Sequence, residues 1–89
     1  MRIYKYPLKI TDIQTVRMPK GAKILSVQEQ HGKVCVWALV DPDERIVDKT
    51  ILIIGTGNPI DDIDLDDYYF LNTVQSGGEP LIWHVFVKI

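Results

Sequence analysis

The sequence predicts a mainly β protein: a small antiparallel β-sandwich or partly open barrel of six to seven strands with one short helical turn. Three observations carry this. Apolar and β-branched runs of strand length recur along the 89 residues. Turn signals such as Lys20-Gly21, His31-Gly32, Asp41-Pro42-Asp43 and Gly55-Thr56-Gly57 separate those runs at short intervals. A hydrophobic share of 46% against 25% charged is globular composition, neither disordered nor coiled coil. A chain this short supports one core, so residues 1–89 are expected to form a single domain.

Along the chain, residues 2–8 mix aromatic and β-branched side chains, and Pro7 marks the segment as an edge strand or its end. Thr11-Asp12-Ile13-Gln14 matches a helix capping box, but Thr15-Val16-Arg17-Met18-Pro19 is β-branched and closed by proline, so a turn and a short strand follow. Residues 22–30 and 33–40 are separated by His31-Gly32 alone, which specifies a hairpin. Its two-residue loop needs positive φ, which glycine adopts freely and histidine tolerates better than a branched residue. Residues 34–40 are apolar at every position, the pattern of a central strand covered on both sides. Cys35 within that run reads as a buried structural thiol, and as the sole cysteine it forms no intrachain disulfide.

After the Asp41-Pro42 turn, residues 48–55 form a third core strand around Ile51-Leu52-Ile53-Ile54. Asn58 as N-cap, Pro59 as first helical residue, and Asp61 and Asp62 in the first turn predict a short helix start. Residues 68–74 are β-prone, Ser76-Gly77-Gly78-Glu79-Pro80 is a turn, and residues 81–89 close the chain as a strand. There Trp83, Val85, Val87 and Ile89 share the face expected to enter the core.

Charge and hydropathy exclude several functions. A net charge of -2 with the ten Lys and Arg scattered provides no basic field for duplex nucleic acid. No apolar run reaches the ~20 residues that span a bilayer, and the N-terminus lacks a signal-peptide core, so an intracellular protein is expected. His31 on a turn and His84 in a strand have no evident nucleophile or base beside them, and with one cysteine they make no zinc site; no enzyme and no cofactor are expected. Tyr4, Tyr6, Tyr68, Tyr69, Trp37 and Trp83 could line a base-stacking pocket or simply pack the core and strand pairs.

Two segments carry chemistry. In residues 61–67, Asp62, Asp64 and Asp66 reproduce the first three ligand positions of a calcium loop. Asp67 then stands where glycine is required and Thr73 where a bidentate carboxylate is, so no metal is assigned. Asp61, Asp62, Asp64, Asp66 and Asp67 instead form an acidic rim, with Ile60, Ile63 and Leu65 tucked inward, that a basic protein surface would stabilise. Gly55, Thr56, Gly57 and Asn58 follow a strand and open the expected helical turn, an arrangement that can face an anion or nucleotide, though Ile60 replaces the third glycine of a dinucleotide fingerprint and no phosphate-loop lysine follows.

Residues 3–8, 18–28, 35–41, Gly55-Thr56-Gly57 and Trp83-His84-Val85-Phe86 together resemble a family of short proteins of tailed bacteriophages and prophages. The resemblance covers nearly the whole chain; the apolar tail Val87-Lys88-Ile89 extends past the family's usual ending. It implies a small accessory protein acting in the cytoplasm of an infected bacterium. Such a protein would bind and neutralise a host protein, plausibly a defence component, by protein–protein contact. The alternatives are a sponge for a cyclic or related small nucleotide and a structural or assembly module, with a homodimer or higher homo-oligomer left open.

Overall fold

A computed structural model describes residues 1–76 and 81–89. Seven strands occur among them: β1 (Arg2–Pro7), β2 (Ile13–Pro19), β3 (Lys23–Gln30), β4 (Lys33–Val40), β5 (Ile46–Gly55), β6 (Tyr68–Ser76) and β7 (Leu81–Lys88). They form two antiparallel sheets, A with order β1-β4-β3 and B with order β2-β5-β7-β6, packed as an open sandwich rather than a closed barrel. The smallest extent is 16 Å, the thickness of two facing layers.

Local chemistry produces these elements much as expected. His31 at φ 52° and Gly32 at φ 79° close the β3–β4 hairpin with two consecutive positive φ values, the turn whose twist matches the strands. Lys33 pairs with Gln30 directly beyond it. β1 is an edge strand that ends at Pro7. In β3 a bulge at Leu25 lets both Ile24 and Val27, three apart, point inward, which strict alternation forbids.

The core lies between the sheets. Val34, Val36, Ala38 and Val40 of β4 face Ile51 and Ile53 of β5 and Val85 and Val87 of β7, closed at the sides by Met18, Ile24, Val27 and Val74. Trp83 packs against this cluster half-buried, but Ile89, expected on the same face, is 79% exposed because the strand ends at Lys88.

Two expectations are revised. First, β4 is covered on one side only: Cys35, Trp37 and Leu39 point away from the core, and no strand or helical turn among the described residues lies over them. Cys35 is nevertheless 2% exposed. The Lys5 ammonium on β1 reaches Gln30 Oε1 on β3 at 2.8 Å, so its side chain crosses β4 in the row of Cys35 and roofs the thiol. Second, no helix starts at Asn58. The helical turn is a 3-10 turn at Leu65–Asp67, capped by the Asp64 carboxylate, because capping residues without a following apolar periodicity cannot propagate a helix. β5 is the core strand expected: Leu52 and Ile54 point away from sheet A yet are 0% and 8% exposed, so the far face of sheet B is sheltered at these two positions. The expected turn at Ser76-Gly77-Gly78-Glu79-Pro80 falls, beyond Ser76, outside the described residues. No described helix is long and apolar enough to cross a membrane.

One connection departs from simple hairpin geometry. β5 and β6 both run antiparallel to β7, which lies between them, so residues 56–67 must carry the chain past β7 from one end of the sheet to the other. Ile60, Ile63 and Leu65 along this crossover are half-buried, while its five aspartates are exposed.

Candidate functional site

The crossover begins in a tight turn. Asn58 N–H donates to Gly55 O at 3.1 Å, and Gly57 at φ 87° occupies the third position, where a side chain would be strained. Gly55 is buried at the end of β5 for a different reason: a Cβ there would lie 2.9 Å from Asn58 Nδ2 and 3.1 Å from Trp83 Cζ3. The Trp83 ring therefore lies directly on the Gly55 backbone. Thr56 N–H donates to Ile82 O at 3.3 Å, tying the turn to the first residues of β7. Gly55, Thr56 and Asn58, with Leu81, Ile82 and Trp83, enclose a cleft of about 310 Å³, the lower end of the range for small-molecule sites.

Behind the cleft lies a polar chain that the sequence did not reveal. His84 Nε2 is 2.8 Å from Thr56 Oγ1, and His84 Nδ1 is 3.0 Å from Thr73 Oγ1. A neutral imidazole has one donor and one acceptor nitrogen, so one threonine hydroxyl donates to the ring and the other accepts from it. The histidine fixes the orientation of the Thr56 hydroxyl at the cleft. Thr73 and His84 stand opposite each other only because a bulge at Leu71 shifts the β6–β7 register, which no spacing rule read from the sequence reveals.

Among the described residues, none that encloses the cleft is ionisable. Since no helix starts at Asn58 to face a phosphate with its amide end, an anion at Gly55, Thr56, Gly57 and Asn58 would meet, among the described residues, turn amides and the Thr56 hydroxyl. The cleft instead presents one indole, one hydroxyl and one amide among aliphatic side chains.

The aspartates are strung along the remainder of the crossover. Asp61 and Asp62 occupy a turn. Asp64 Oδ1 accepts from Asp66 N–H at 3.0 Å, Asp67 N–H donates to Asp64 O at 3.1 Å, and Ile89 N–H donates to Asp67 O at 2.9 Å. These bonds hold the backbone; the Asp64 carboxylate caps the 3-10 turn, and all five aspartates remain exposed. Among the described residues the ion pair is Arg17 with Asp48, at 3.9 Å and well exposed, so none of the five crossover carboxylates is paired with a cation. No three His, Cys, Asp or Glu side chains among the described residues gather closely enough to hold a metal ion.

The aromatic residues do not converge on one pocket. Tyr4 and Tyr6 share the inward side of the β1 edge with ring centroids 6.5 Å apart. Tyr68 lies under the Lys88 ammonium, 5.5 Å from its ring centre. Trp37 and Trp83 belong to different sheets. Burial, and secondarily Tyr4, raises the Tyr6 hydroxyl above its usual pKa; burial alone raises that of Tyr69.

Residues 1–89 match throughout the model of a family described as a domain of unknown function (DUF7352). No curated protein and no solved structure matches the chain.

Proposed function

We propose, for a chain that belongs to the DUF7352 family, a stoichiometric binding role without catalysis. The reading is a phage or prophage accessory protein that neutralises a host protein, plausibly a defence component, in the bacterial cytoplasm. The phage setting rests on the sequence resemblance; the binding surface rests on the crossover. The observation that carries the reading is that five aspartates are exposed on one backbone-tethered segment, none of them in an ion pair among the described residues. Like charges this close repel, and a basic partner surface relieves that repulsion while accelerating encounter. The half-buried Ile60, Ile63 and Leu65 between them offer apolar area at the same place.

Affinity capture from a bacterial host lysate, with the wild type and an Asp61→Asn/Asp62→Asn/Asp66→Asn variant side by side, tests the reading. Asp64 is spared because its carboxylate caps the 3-10 turn. A partner retained by the wild type, released by moderate salt and missing from the variant is the expected result. Equal recovery by both proteins rules the crossover out. A second reading, a sponge for a small nucleotide, has the 310 Å³ cleft and its Trp83 ring in its favour. A thermal-shift panel of cyclic nucleotides that leaves the melting temperature unchanged would eliminate it.

A further inference from the structure

We propose that the outward face of sheet A is a docking platform for single-stranded RNA. The strand register places Ile3, Leu39 and Lys23 in one row, Lys5, Trp37 and Ser26 in the next, and Pro7, Cys35 and Gln28 in the third, with Lys33 and Gln30 beyond. Three lysines, Lys5, Lys23 and Lys33, are thus spread over a sheet face that carries the Trp37 indole and no acidic strand residue. Trp37 and Leu39 are half-buried with no further layer over them, and Ile3 and Leu25 beside them are 60% and 43% exposed. Lys23 and Lys33 have no anionic partner among the described residues.

This combination is what an unpaired polynucleotide requires. Every base offers a π-face to an exposed ring, and phosphates at intervals along the strand offer charge to lysines set around it. An open sheet face also suits an extended strand better than it suits a duplex, whose bases are already stacked. The net negative charge of the whole chain does not oppose this. The aspartates lie on the connection between two strands of sheet B, facing sheets stand about 10 Å apart, and at physiological salt charges are screened over about 8 Å. The choice of RNA over DNA rests on Ser26 and Gln28, a hydroxyl and an exposed amide in the rows of Trp37 and Cys35, both suited to a ribose 2′-hydroxyl. The surface is separate from the crossover, so this inference stands or falls independently of the proposed function.

The test uses the full chain with a labelled oligouridylate of about 12 nucleotides, within the usual site range of single-strand binders, and fluorescence anisotropy across a salt series. The expected affinity falls with salt with a logarithmic slope of about 2, the value for three lysine–phosphate contacts on a single strand. Lys23→Gln/Lys33→Gln, which touches no core residue, should cut that slope to about 0.7. Trp37→Leu should weaken binding by about 5- to 150-fold at fixed salt, the range for loss of one stacked base, with circular dichroism confirming the fold. Lys49→Gln, outside this face, should change neither quantity. Absence of binding, or binding indifferent to both face variants, overturns the proposal. Equal affinity for the matching oligodeoxyuridylate overturns the assignment to RNA. Light scattering on protein alone that shows association abolished by Trp37→Leu would assign the face to a second copy and overturn the proposal as well.

Discussion

Gly55→Ala probes the most constrained contact at the cleft. The added methyl would lie 2.9 Å from Asn58 Nδ2 and 3.1 Å from Trp83 Cζ3. The asparagine amide ends an exposed side chain and can swing aside at little cost. The indole cannot, because it packs against the core between the sheets. Crowding of this kind costs about 1–3 kcal/mol. Replacing glycine by alanine also narrows the unfolded ensemble, which returns about 0.4–1 kcal/mol. The net expectation is a loss of about 1.5 kcal/mol, which for a domain of this size lowers Tm by roughly 6–12 °C. Calorimetric melts of the wild type, Gly55→Ala, Trp83→Phe and the double variant measure it. Trp83→Phe removes the ring atom that meets the methyl, so the alanine should cost at least about 0.5 kcal/mol less in that background. If Gly55→Ala is as stable as the wild type, or costs the same with and without the indole, the reasoning that the ring rests on the Gly55 backbone is wrong.

Other consequences can be checked with the same instruments. Leu52→Ala should cost about 2–4 kcal/mol although Leu52 points away from the main core, whereas Ile13→Ala beside it, 57% exposed, should cost less than about 1 kcal/mol; equal costs would show that the far face of sheet B is not sheltered. At the β3–β4 hairpin, Gly32→Ala forces a side chain to φ 79° and should cost about 1–2 kcal/mol, while His31→Asn, at φ 52°, should be neutral or stabilising in urea titrations. The raised hydroxyls of Tyr6 and Tyr69 mean that the folded state disfavours their phenolates. Their contribution is fully present below the ordinary value of 10.0 and is lost as pH rises through the higher folded values. Urea midpoints should therefore fall on the alkaline side, and Tyr6→Phe/Tyr69→Phe should flatten that fall; an identical decline in the double variant would count against the assignment.

Residue patterning alone places the strands and most of their ends. Alternation, β-branching and apolar runs are local properties, and so is the positive φ that His31-Gly32 supplies; each acts within a few residues and leaves a readable mark. The acidic rim and the glycine turn at residues 55–58 were legible for the same reason. Long-range packing settles which strands share a sheet and which sides remain bare. The all-apolar β4 reads as doubly covered, yet its outward half is roofed at Cys35 only by Lys5, a side chain 30 positions away from it in the sequence and joined across the sheet to Gln30. The Thr56–His84–Thr73 chain required a one-residue bulge at Leu71 and the crossover past β7, features set by packing between distant segments rather than by any residue's own preference. Local chemistry draws the strands, but the burial of one face against another chooses their register, and both the candidate cleft and the bare basic face are products of that choice.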